Sequence, residues 1–169
     1  MAEQGTAARL IEVATAELGT IEGPKDNETK YGAYTKANFQ PWCGSFVNWC
    51  ANEAGVKVPN TVFTPGGAQA FKKAGAWIDG DLADPEPGDI AYFDFPSDGV
   101  DRISHVGIVI KDNEDGTVWC IEGNTSPERD LQNQQHLLQK IKLVRLAVKQ
   151  LSNEYLQSKA RGRSRSRGF

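Results

Sequence analysis

Apolar residues recur at helical spacing in the first half of the chain and in alternation in the second. Leu10, Ile11, Val13, Ala14 and Leu18 form one stripe behind Thr6, a suitable N-cap, and ahead of Gly19. That pattern predicts an amphipathic helix. A polar stretch follows from Gly19 to Lys30, with turn pairs Gly23-Pro24 and Asp26-Asn27, and Tyr31 to Ala37 reads as a short helix. The next stripe is Cys43, Phe46, Val47, Cys50 and Ala54, all on one face of a helix that starts near Trp42 or Cys43 and stops at Gly55. Pro59 to Gly67 reads as a loop and Ala68 to Ala74 as a small helix ended by Gly75.

The character changes after Pro85. Asp89 to Phe93 is a predicted strand entered from a Pro-Glu-Pro-Gly turn, and Ser104 to Lys111 is a second. Asp112 to Gly116 is a turn, Thr117 to Glu122 a third strand, and Lys140 to Val148 alternates as a fourth. Helices first and antiparallel strands afterwards predict an α+β domain, with N-terminal helices packed on an antiparallel β-sheet. No internal repeat is present. Residues 1–150 read as one domain and 151–169 as a separate tail.

Charge sharpens that division. The chain has a net charge of −3, yet Tyr155 to Phe169 holds one Lys and four Arg and no acid, which leaves −8 on residues 1–154. An acidic body lacks the basic face that nucleic-acid binding requires. The Arg/Ser-rich tail reads as disordered and able to adhere to anionic polymers, or else as an inert end. No apolar run approaches the roughly 20 residues of a membrane span. Met1 to Leu18 carries three glutamates and no basic-then-apolar pattern, so synthesis in the cytoplasm without a signal peptide is expected. A monomer is the expected state.

Three cysteines, Cys43, Cys50 and Cys120, are too few for a disulfide framework, and their spacing fits no zinc pattern. Cys43 differs from the other two in standing at a helix start, where the helix dipole favours a thiolate. On the second strand His105, Gly107 and Val109 share one face. On the third, Cys120 and Glu122 share a face, with Asn124 in the same parity. Packing the Cys43 helix against that face, with Gly107 as the point of close approach, would bring together a thiol, an imidazole and a carboxylate. His105 could move a proton near neutral pH, while Glu122 or Asn124 could hold the ring in one tautomer. The unused N–H of Cys43 could bind an oxyanion. Buried, inert cysteines and a strand-end Glu122 paired with a lysine are the plain alternatives. His136, in a polar segment, reads as an exposed residue. Trp42 and Trp49 read as packing residues.

At these residues the chain resembles a known family. Gln40-Pro-Trp-Cys43-Gly-Ser-Phe-Val-Asn-Trp-Cys50, Pro87-Gly-Asp-Ile-Ala-Tyr-Phe93, Ser104-His-Val-Gly-Ile-Val109 and Ile121-Glu-Gly-Asn124 are similar to the CHAP family. These are cysteine, histidine-dependent amidohydrolases/peptidases, relatives of the NlpC/P60 group with a papain-like fold. The stretch from Leu18 to Tyr31 looks like the version found in endolysins of phages that infect actinobacteria. The resemblance implies cleavage of bacterial peptidoglycan, as an N-acetylmuramoyl-L-alanine amidase or as an endopeptidase. It implies Cys43 as nucleophile, His105 as base, Glu122 as the orienting group and Asn124 as its assistant, with no cofactor. Tyr34 to Trp42 contains no carboxylate, so no calcium loop is expected there. The bond chosen would depend on a groove shaped by residues 60–67 and 95–102. A non-catalytic wall- or peptide-binding module on the same fold is the alternative function.

Overall fold

A computed structural model describes residues 1–79, 84–94 and 102–125, together with the backbone of two short strands at 138–142 and 147–148. Four helices precede the sheet: α1 (Ala7–Ala16), α2 (Lys30–Thr35), α3 (Cys43–Glu53) and α4 (Thr64–Ala74). The strands are β1 (Ile90–Phe93), β2 (His105–Asp112), β3 (Thr117–Glu122), β4 (Leu138–Lys142) and β5 (Ala147–Val148). They form one antiparallel sheet in the order β4-β3-β2-β1-β5. The fold is α+β and papain-like, as expected.

Local chemistry explains the helix limits. Thr6 caps α1 by accepting from the N–H of Arg9, and Thr29 caps α2 by accepting from Gly32. The helix α1 ends at Ala16, so Leu18 falls outside it and is 41% exposed instead of completing the apolar stripe. The helix α4 begins at Thr64, four residues before its expected start. Pro65 in its first turn loses nothing by lacking an N–H, which is why a segment that reads as loop is helical. Gly55 and Gly75 follow α3 and α4 with φ of 68° and 69°, the left-handed conformation in which glycine has no Cβ penalty.

The expected fourth strand divides in two. Leu138–Lys142 pairs with β3 on one edge, while Ala147 and Val148 pair with β1 on the other.

Two apolar clusters lie on the two sheet faces. Ile90, Tyr92, Val106, Ile108 and Ile121 pack against α1, α3 and α4, with Phe46, Val47 and Cys50 of α3 fully buried among them. Ala91, Phe93, Val109, Val118 and Cys120 form the opposite cluster. His105, Gly107 and Glu122 have the register of this second face, since Phe93 pairs with His105 and Gly107 with Glu122. The helix α3 therefore covers the face opposite to the one expected. A Cβ on Gly107 would meet Glu122 Cγ at 2.7 Å, so that glycine makes room for the carboxylate side chain rather than for a helix. The close approach to α3 is at Gly123, where a Cβ would lie 2.7 Å from Phe46 and from the Trp42 ring.

Candidate active site

Cys43 is the first residue of α3 and His105 the first residue of β2. The start of a helix and the start of a strand meet there, and this lets an imidazole on the far-face register reach a thiol on the helical side. The Cys43 thiol lies close enough to the His105 ring to raise the ring's pKa. The ring's Nε2 lies 2.9 Å from Oε2 of Glu122. Cys43, His105 and Glu122 are 4%, 8% and 1% exposed, so all three interact with little water between them.

Electrostatics favour the charged imidazole. Burial on its own would lower the pKa of His105. Hydrogen bonds to Cys43 and Glu122, with the charges of both, outweigh it and raise the value to about 10. The carboxylate acts both as an acceptor that fixes the ring and as a counter-charge. Its second oxygen, Oε1, is buried with no hydrogen-bond partner. Asn124 follows β3 in a left-handed conformation, φ 56°, and is half-buried. Among the described residues it makes no hydrogen bond to the ring, so the orienting contact belongs to Glu122.

The other two thiols are set apart. Burial, with smaller effects of Glu17 and Glu53, pushes Cys50 far above the usual thiol range; burial and then Glu122 do the same for Cys120. All three cysteines are free. Among the described residues no group of three His, Cys, Asp or Glu side chains is placed to hold a metal ion. His136, the tail and residues 95–101 lie outside the described residues.

Several supports of the thiol were not apparent from the pattern of residues. Trp42, the N-cap of α3, has no side-chain cap bond of its own; its indole N–H donates to Oε1 of Glu22 at 2.8 Å. The other oxygen of Glu22 accepts from the N–H of Asn27 at 2.7 Å, so the polar 19–30 stretch is tied to the helix start. Tyr31 stacks on Trp42 with ring centres 5.3 Å apart and meets Phe46 and Trp49 edge-on, so both tryptophans pack as expected. On the far side Thr61 donates its hydroxyl to the carbonyl of Gly44 at 2.7 Å. A Cβ at Gly44 would stand 1.9 Å from the Thr61 carbonyl oxygen, so the residue after the cysteine has to be glycine. That glycine, inside a helix, was the one readable sign that another segment crosses there. Tyr92, fully buried under α4, has a hydroxyl without a partner, near enough to Cys43 to feel its charge.

The thiol opens on a cleft of about 350 Å³. Phe63 and Pro65 form part of one wall, and Arg102, Ile103 and Ser104 another; Thr64 joins them by donating to the Ile103 carbonyl at 3.4 Å. Phe63 and Pro65 belong to the 60–67 range expected to shape the groove, and Arg102 ends the 95–102 range, while Ile103 and Ser104 lie just beyond it. Such an arrangement can attack a carbonyl carbon with sulfur and exchange protons through the imidazole.

The chain's residues 35–124, a little over half of its length, match the family model of the CHAP domain. The chain belongs to the CHAP family. The match begins within α2 and ends at Asn124, so it spans the elements that supply Cys43, His105 and Glu122. CHAP domains are typically cysteine- and histidine-dependent amidohydrolases, and membership points to a hydrolase of the peptidoglycan amidase or peptidase type. No curated protein matches the chain. No helix among the described residues is long and apolar enough to cross a membrane.

Proposed function

We propose that this CHAP domain is a peptidoglycan hydrolase of the phage endolysin type, with Cys43 as nucleophile, His105 as acid and base, and Glu122 as the residue that orients and charges the ring. The observation that carries the reading is a thiol lining a cleft beside an imidazole that is hydrogen-bonded to a buried carboxylate.

The steps follow from the geometry. The ring takes the proton of the thiol, and Glu122 holds it as an imidazolium. Sulfur attacks an amide carbonyl, and the resulting oxyanion is met by the N–H of Cys43, which first-turn geometry leaves outside helical hydrogen bonding. His105 returns its proton to the leaving amine, and the acyl group remains as a thioester. Water, deprotonated by the now neutral ring, then hydrolyses the thioester. Asn124, two residues beyond Glu122, assists the ring or the substrate. The domain is made in the cytoplasm and acts on the wall after release, and the basic tail adds adhesion to anionic wall polymers.

The test is mass spectrometry of fragments released from purified actinobacterial peptidoglycan by the wild type and by Cys43→Ala. Defined products that vanish in the variant support the reading. A new muramic acid or L-alanine end identifies an amidase, and a new end within the stem or cross-bridge identifies an endopeptidase. Identical digests from both proteins would refute it.

A further inference from the structure

Among the described residues, Arg102 is the only charged side chain bordering the cleft beside Cys43. Among the described residues, no carboxylate lies within ion-pair distance of its guanidinium. The rest of the lining is largely apolar, contributed by Pro41, Val62, Phe63, Pro65 and Ile103. Two residues along, Ser104 borders the same cleft, and its buried hydroxyl has no hydrogen-bond partner among the described residues. Phe63, on the wall of the cleft, is 64% exposed and offers its ring to a ligand. A cation, an unused hydroxyl and an apolar wall around one opening describe a ligand with an apolar body and a single negative group.

We propose that Arg102 and Ser104 form a carboxylate-reading subsite, which selects peptide substrates that carry a free carboxylate close to the bond that Cys43 attacks. The planar guanidinium suits a carboxylate through two parallel hydrogen bonds, a fit that an amide in its place cannot reproduce. Ser104 supplies a further donor to the same group. The subsite rests on the peptidoglycan reading for its substrate class. Wall stem peptides offer two such groups: the α-carboxylate of a glutamate linked through its side chain, and the carboxylate of a diamino acid. Bacteria leave either one free or convert it to an amide.

The experiment uses the full chain and three muropeptides: one with both carboxylates free, and two each amidated at one of them. For the wild type, amidation at the recognised position should raise KM by roughly tenfold or more, the scale of a lost charge-assisted pair, with kcat nearly unchanged. The amide that has this effect identifies the carboxylate. Arg102→Gln should show that raised KM already on the free acid, so that amidation makes no further difference. Arg102→Lys, which keeps the charge but not the fork, should fall between. Equal wild-type KM for all three substrates would overturn the proposal, and so would an Arg102→Gln defect confined to kcat. If the wild type cleaves none of them, the hydrolase reading fails and binding judges the subsite. Cys43→Ala protein should then bind an N-acyl glutamyl peptide at least tenfold better as acid than as amide. Loss of that preference in Cys43→Ala/Arg102→Gln would sustain the subsite, and no preference in the Arg102 protein would overturn it.

Discussion

Nε2 of His105 and Oε2 of Glu122 are 2.9 Å apart, and the register that puts them there pairs Gly107 with Glu122 on adjacent strands. With no side chain at Gly107, the carboxylate folds across its neighbour strand and reaches the imidazole two residues away. A buried charge with one partner on one side is costly to disturb. Removing the charge while keeping the shape, in Glu122→Gln, should lower the rate by roughly 10²-fold, at the low end of general acid–base contributions. The same variant should move the alkaline limb of the pH–rate profile down from near 10, because the carboxylate is one of the two groups that raise His105. An alkaline limb that stays in place would separate Glu122 from the titration of the ring.

Stability should follow the same proton. The pKa of His105 is 6.5 when unperturbed and about 10 in the fold, so the folded state binds the proton more tightly. The contribution is therefore fully present below pH 6.5 and is lost as pH rises through 10. Urea midpoints of the wild type and His105→Gln, measured from pH 6 to pH 10.5, should converge toward the alkaline end. A constant gap would show that the ring's charge does not contribute.

The three thiols should separate cleanly by alkylation. Cys43 opens on the cleft, while Cys50 and Cys120 are fully buried and have raised pKa values. Iodoacetamide on the native protein should add one label, which Cys43→Ala removes. Slow labelling of all three only on unfolding would favour a binding module with an inert cysteine. Cys50→Ala should cost stability, about 1–2 kcal/mol for a small buried side chain, and retain activity.

Gly44→Ala should be among the most damaging single-methyl changes. Its Cβ would sit 1.9 Å from a backbone oxygen of Thr61, and neither the helix nor the crossing segment can yield as a flexible side chain would. The expected loss is at or above the upper end of the usual overpacking cost, about 3 kcal/mol. Thermal denaturation of the variant beside Gly116→Ala, whose Cβ would meet nothing within 4 Å but which has a φ of 78°, separates the clash from backbone strain.

Glu22→Ala should leave the fold intact and loosen the approach to the thiol. It frees the Trp42 indole and the Asn27 N–H at once, at a cost of about 1–3 kcal/mol. Loss of activity well beyond the loss of stability would place Glu22 among the residues that position Cys43; proportional losses would make it purely structural.

Much of this was legible in short-range pattern. The 3.6-residue stripe from Cys43 to Ala54 fixed which helix face is buried, and Thr117 to Glu122 is a strand with the limits expected. Cys43, His105 and Glu122 could be singled out because each has a residue type suited to one task and stands near an element's end. Contacts distant in sequence were not legible. Strand alternation divides β2 into two sets of side chains but does not say which set faces the helices, so α3 was expected on the wrong face. Glu22 was not singled out in the polar 19–30 stretch because nothing local links it to Trp42, twenty positions on. The start of α4 was hidden by Gly66 and Gly67, poor helix formers; a Cβ at Gly67 would fall 2.5 Å from the Tyr92 hydroxyl, so tertiary packing overrides propensity there.

The nucleophile sits in the helical half of the chain and its two partners in the half that forms the sheet, with sixty-two positions between Cys43 and His105. No contiguous fragment ending before β3 holds the complete set. A nascent chain that has released only its helices from the ribosome carries a thiol with neither acid nor counter-charge. Chemical competence thus arrives last, with the docking of the strands.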